Sequence, residues 1–259
     1  MFEFLKLVQN ENMKIYRRVR TWVMFAIMLA IPLAMSVIGL LYGEDPDMWA
    51  YARSEALAVL TLMSIFAVVI AADSVAGEFS SGTIKLLLIR PWSRSKILLS
   101  KYLALALFML LSMALLFVFT LLLNLALFGS GGDYTFPNQG SMSHFAYLAA
   151  FYGLSLIEMV VTVTMAFMIS TVFRSGSLAI GLSIFVLLGG QIIASLLEWL
   201  DKPWVDYILF LHFGLQRHLA GYPMIADRTL GFSLGVLAGY YVIFMALSWY
   251  VFNRRDVAA

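Results

Sequence analysis

Two carboxylates, Asp73 and Glu158, lie inside long apolar runs and are the first residues whose type and place could do chemistry. An acid at the middle of a bilayer costs roughly 2.5–3.5 kcal/mol on insertion scales, so it must meet a polar partner or a cavity. Glu158 falls near the middle of its run. It faces either a transport pathway or an interhelical hydrogen bond, with Asn124 as an available partner. Asp73 falls near the end of its run, where a structural pairing is expected. The rest of the chemical inventory is thin. There is no cysteine, which excludes disulfides, thiolate metal sites and a cysteine nucleophile. His144, His212 and His218 form no H-E-x-x-H pair, and no G-x-S-x-G elbow occurs. The run Gly176-Ser-Leu-Ala-Ile-Gly181-Leu-Ser183 has the glycine spacing of a phosphate-binding loop, but Leu182 stands where its lysine must be. It reads as a packing feature. The expectation is a chain that is no enzyme, holds no cofactor or metal, and has no nucleic-acid partner.

The elements that must position these residues are membrane spans. Hydrophobic residues make up 62% of the 259 positions and charged residues only 12%, where a soluble domain carries about a quarter. Crossing a hydrocarbon core of roughly 30 Å takes about 20 apolar residues. Six stretches qualify: Thr21–Tyr42, Glu55–Ala76, Tyr102–Phe128, Phe145–Val172, Leu178–Leu197 and Thr229–Phe252. They must be helices, because lipid leaves backbone N–H and C=O groups unsatisfied in any other open chain. The fold class is therefore an all-α integral membrane protein with six transmembrane helices in one domain, 21–259. The first run shows no small-x-small cleavage site and reads as a retained span.

Lysine and arginine set the orientation. Thirteen of them fall before span 1, between spans 2 and 3, between spans 4 and 5, and after span 6; the other connections hold four. Both termini are expected in the cytoplasm. Trp22, Trp92, Trp199 and Trp249 fall near span ends, as interfacial anchors do, and Trp49 and Trp204 lie in exterior connections.

Two segments do not span. Residues 1–20 place Phe2, Leu5, Val8, Met13, Tyr16 and Val19 at roughly helical spacing among Lys6, Lys14, Arg17 and Arg18, the pattern of a basic amphipathic interfacial helix. Residues 203–222 hold the run Tyr207–Leu215, too short to cross, and read as short re-entrant or interfacial helices before span 6. Span 6 opens with Gly231, Gly235 and Gly239, a spacing that lets helix backbones approach, within one chain or between two. Pro32 should kink span 1.

The informative connection is 78–101. Gly77 and Glu78 break the apolar run, Ser80 or Ser81 can cap a short helix over Thr83–Ile89, Arg90-Pro91 ends it, and Ser93 caps the helix that continues into span 3. The result is a basic, half-apolar bracket able to lie on lipid or dock on a partner. Its pattern, carried by Glu78, Gly82, Thr83, Ile84, Lys85, Leu87, Leu88, Arg90, Pro91, Ser93 and Arg94, resembles the loop between spans 2 and 3 of type 2 ABC exporter permeases, which implies a coupling role for these residues and for Ser81. It is most similar to the bacitracin-resistance and sodium-efflux subgroup.

The resemblance implies a permease subunit in the cell membrane of a bacterium, exporting a small amphipathic or hydrophobic molecule such as a peptide antibiotic, drug or lipid-like compound. It implies that 78–94 acts as a coupling helix on a cytoplasmic ATPase, present in two copies, which would hold the ATP and Mg. A second copy of this chain or a paralogue would complete the dimer, with spans 2 and 5 walling the path. The alternatives from the residues alone are a stand-alone secondary transporter or channel using Glu158, and a membrane enzyme, for which no constellation is present.

Overall fold

The computed structural model describes residues 2–43, 46–84, 92–131, 134–197, 199–200, 202–222 and 229–254, and among these there is no strand. Helix α1 is Phe2–Tyr16, α2 Val19–Tyr42, α3 Met48–Ser80, α4 Arg94–Phe128, α5 His144–Val172 and α6 Gly176–Leu197. Two single 3-10 turns follow, Val205–Tyr207 and Leu209–His212, then the one-turn helix α7 at Gln216–Leu219 and the long α8 at Leu230–Arg254. The six long helices, α2 to α6 and α8, are each apolar enough to span. At 1.5 Å per residue they measure roughly 33–53 Å, so α3 and α4 outreach a 30 Å hydrocarbon core by the most.

Side-chain caps set several boundaries. The Asp47 carboxylate accepts from the Trp49 and Ala50 amides at 2.7 and 3.1 Å and starts α3 at Met48, seven residues before the expected span. Ser93 and Ser143 open α4 and α5 in the same way. Helix α3 also runs on past the end of the apolar run, through Gly77 and Glu78 to Ser80. It continues because the Glu78 carboxylate finds partners and Gly77 lies against the start of α6; a Cβ on Gly176 would sit 3.4 Å from the Gly77 Cα. That fit gives the Gly176 of the false phosphate loop its packing role. Ser80 is the last residue of α3 and Ser81 its C-cap, and the short helix expected over Thr83–Ile89 lies, beyond Ile84, outside the described residues. The Ser80 hydroxyl accepts from the Gly176 amide at 2.8 Å, and the Ser81 hydroxyl donates to the Gly77 carbonyl. Pro32 lies within a helix that continues on both sides of it.

Helices α3 and α5 form the centre. Helix α3 packs on α2, α4, α5 and α6, and α5 also takes α4, α6 and α8. Helix α1 lies across the starts of α2 and α4, burying Leu7, Val8 and Glu11 with Phe4 and Ile15 half-covered. Positions 4, 7, 8, 11 and 15 face the bundle, whereas Leu5, Met13 and Val19 of the expected apolar face are exposed on its outside. The ends of α3, α5 and α8 and the starts of α4 and α6 gather at this α1 end; the Arg94 guanidinium, for one, donates to the Asn253 carbonyl at 3.0 Å. Among the described residues no atom outside their own helix backbone lies within 4 Å of a Cβ added at Gly235 or Gly239, so that face packs on no described helix.

Candidate functional site

The α1 end holds a closed group of four charges. Lys101, near the start of α4, is buried and donates to Glu11 at 2.7 Å and Glu78 at 3.2 Å. Lys14 donates to the same two acids at 2.8 and 2.7 Å. Two carboxylates and two ammonium groups cancel, which is the condition for burying charge without an uncompensated penalty. The Thr83 hydroxyl completes the set by donating to Glu78. Beside it, Arg18 and Arg20 grip Asp73, the latter at 2.6 Å, so Asp73 makes the structural pairing expected of it. The motif segment thus leaves α3 from a root fastened to both α1 and α4. Gly82 turns the chain there with φ at +71°, and Ile84 is buried beneath it.

Burial disfavours the Lys14 ammonium, but its hydrogen bonds to Glu11 and Glu78 outweigh that and raise its pKa above the ordinary 10.5. A raised lysine pKa stabilises the fold fully below pH 10.5 and loses that contribution as pH climbs through the folded value. The melting-temperature gap between wild type and Lys14→Met should therefore stay constant from neutral pH to 10.5 and close above it.

One helical turn above this root, the Ser170 hydroxyl of α5 enters the α3 ladder. It accepts from the Val75 and Ala76 amides at 3.0 and 2.9 Å and donates to the Ala72 carbonyl at 2.6 Å. Ser170 thereby ties α5 to the α3 backbone over residues 72–76.

In the other half of the bundle a cavity of about 490 Å³ opens between α3, α5 and α6. Its polar lining includes Thr61, Ser64, Ser155, Glu158, Gln191 and Arg217. Phe210, from the segment before α7, divides it from an apolar cavity of about 500 Å³ under α8. Glu158 does not pair with Asn124. Its carboxylate accepts the Leu215 amide, at the turn where Gly214 has φ of +84°, and so pins the 203–222 segment to α5. His212 is buried in the same segment, bonded to Ser233 at 3.0 Å and the Asp206 carbonyl at 2.7 Å. Asn124 instead donates to Glu55 at 2.7 Å.

Of the motif residues, Glu78, Ser81, Gly82, Thr83, Ile84 and Arg94 are placed at the α3 and α4 ends; Lys85, Leu87, Leu88, Arg90 and Pro91 lie outside the described residues. The Glu78 carboxylate is turned into the protein, toward Lys14 and Lys101. Sequence reasoning missed Glu11, Lys101 and Glu55. Glu55 was hidden by a span boundary drawn at it, and the Asp47 cap was the signal that would have moved that boundary.

The sequence profile of the family described as "Protein of unknown function (DUF2705)" matches residues 22–258. The uncharacterized protein YhcI of Bacillus subtilis (strain 168) is 33% identical, over 98% of this chain and 99% of its own length. The uncharacterized membrane protein YdbK of the same organism is 27% identical, over 95% of this chain and 99% of its own length. Six apolar helices of spanning length, buried charges that are paired or backbone-capped, and similarity along nearly the whole sequence agree: the chain is a multi-pass membrane protein and belongs to the DUF2705 family.

Proposed function

We propose that this chain is the membrane-spanning permease subunit of an ATP-driven exporter of the type 2 ABC class, moving a small amphipathic or hydrophobic molecule. The α1 end is then cytoplasmic, with both termini in the cytoplasm and α1 in the interface. The observation that carries the reading is the motif-bearing connection itself. It leaves α3 beyond the Ser170 tie to α5 and is fastened at its root to α1 and α4 by Glu78, Lys14 and Lys101. An ATPase pressing on 82–94 would move that root as one body, and α3, which walls the polar cavity with α6, would carry the movement toward it. Glu78 relays the push to Lys14 and Lys101. The uncovered Gly235 and Gly239 face of α8 is open to a second copy or paralogue.

The test is purification of the tagged chain from its own membranes into nanodiscs, followed by assay of co-purifying ATPase activity. Gly82→Val puts a β-branched residue at φ of +71°, a strain of about 1–2 kcal/mol confined to the loop root. It should leave the six spans inserted while ATPase activity becomes insensitive to the permease. Intact wild-type protein with no ATPase partner would overturn the proposal and favour a stand-alone transporter.

A further inference from the structure

We infer that Glu55 is a proton-binding site inside the membrane-spanning bundle, carrying a proton that closes a ring of hydrogen bonds joining α2, α3 and α4. Glu55, Ser36 and Asn124 are all fully buried. The Ser36 hydroxyl of α2 touches one Glu55 oxygen and lies 3.1 Å from the Asn124 side-chain oxygen. The Asn124 amide nitrogen reaches the other Glu55 oxygen at 2.7 Å and the Thr120 carbonyl at 2.8 Å.

Proton counting assigns the state. With Glu55 ionised, three oxygens share two contacts and only one hydroxyl hydrogen, so one oxygen–oxygen contact has no donor. Turning the Asn124 amide over worsens this, because its oxygen would then face both a carboxylate oxygen and a carbonyl. With a proton on Glu55, every contact has one donor: Glu55 donates to Ser36, Ser36 to Asn124, and Asn124 back to Glu55. The neighbours supply no compensating charge. Helix α2 presents Ser36, and α4 presents Asn124 and Thr120; α5 presents Tyr152, bonded to Thr120 at 3.3 Å. On α3 itself, Arg53 reaches the Tyr134 hydroxyl at 3.3 Å, and among the described residues no cation is paired with Glu55. A buried carboxyl without a counter-charge is stable as the neutral acid. Losing the proton would leave the Ser36–Asn124 contact between α2 and α4 without a donor, while Ser36 and Asn124 still donate to the Glu55 carboxylate.

The experiment is infrared spectroscopy of the reconstituted protein at neutral pH, with thermal melting in sodium chloride and in choline chloride at equal ionic strength. The expected result is a carbonyl band of a protonated carboxylic acid that disappears in Glu55→Gln and shifts in Ser36→Ala. Glu55→Gln should also fold and melt as wild type does in both salts, since its amide donates to Ser36 and its oxygen accepts from Asn124. A spectrum in which Glu55→Gln removes no such band overturns the proposal, as does failure of this neutral isostere to fold. A wild-type stability that follows sodium and loses that dependence in Glu55→Gln would overturn it in favour of a small-cation site.

Discussion

Lys101→Met is expected to destabilise the protein by about 3–5 kcal/mol, because removing one partner of a buried ionic group leaves its acids uncompensated. The side chain is 1% exposed, so water cannot take over its role. Without it Glu11 and Glu78 share only Lys14, and one net negative charge stays enclosed between α1, α3 and α4. The consequence reaches beyond stability: α1 loses a principal tie to α4, and the root of the motif connection is set loose. In detergent this reads as a large drop in melting temperature, and protease sensitivity should appear first in α1. The second variant is more telling. Lys101→Met with Glu11→Gln restores neutrality, leaving Glu78 with Lys14, and should recover most of the loss, since replacing a buried pair by uncharged groups is often nearly neutral. A double variant as unstable as the single one would show that packing of the lysine stem, and not charge balance, holds this corner together.

How much of this was legible in the sequence depends on distance along the chain. The six spans were, because twenty apolar residues in a row have few soluble alternatives, and the helices Val19–Tyr42 and Arg94–Phe128 end where Gly43 and Gly129 follow. Asp73 was legible too, since an acid near an interface beside a basic segment finds an arginine. The cluster at the α1 end was not. Glu11 and Lys101 are separated by 90 positions, and each alone looks like an ordinary interfacial charge. Glu55 failed for a different reason: hydropathy averages over a window, whereas the helix start is decided by one carboxylate, Asp47, receiving two amides. Local chemistry moved the boundary and turned a flanking acid into an enclosed one. The partner of Glu158 was also beyond reach, because it is a backbone amide, and no residue type announces that.

Glu158 separates the exporter reading from a stand-alone transporter, and the two substitutions Glu158→Gln and Glu158→Leu should behave oppositely. In Glu158→Gln the side-chain oxygen still accepts the Leu215 amide, so the turn at Gly214 stays pinned and export-coupled activity should stay near wild type. In Glu158→Leu that amide is buried without an acceptor, at a cost of about 1–3 kcal/mol. Because Leu215 is fully buried, the amide cannot recover by turning to water unless the whole segment lifts. The loss therefore falls on 203–222, which lines the polar cavity through Phe210, Phe213 and Arg217. Hydrogen exchange should rise there while the exchange of α3 and α5 is unchanged, and activity should fall steeply. If Glu158 instead carried ions or protons through the membrane, Glu158→Gln would abolish transport as completely as Glu158→Leu, without loosening the segment. The isosteric variant thus distinguishes a carboxylate that holds backbone from one that must titrate.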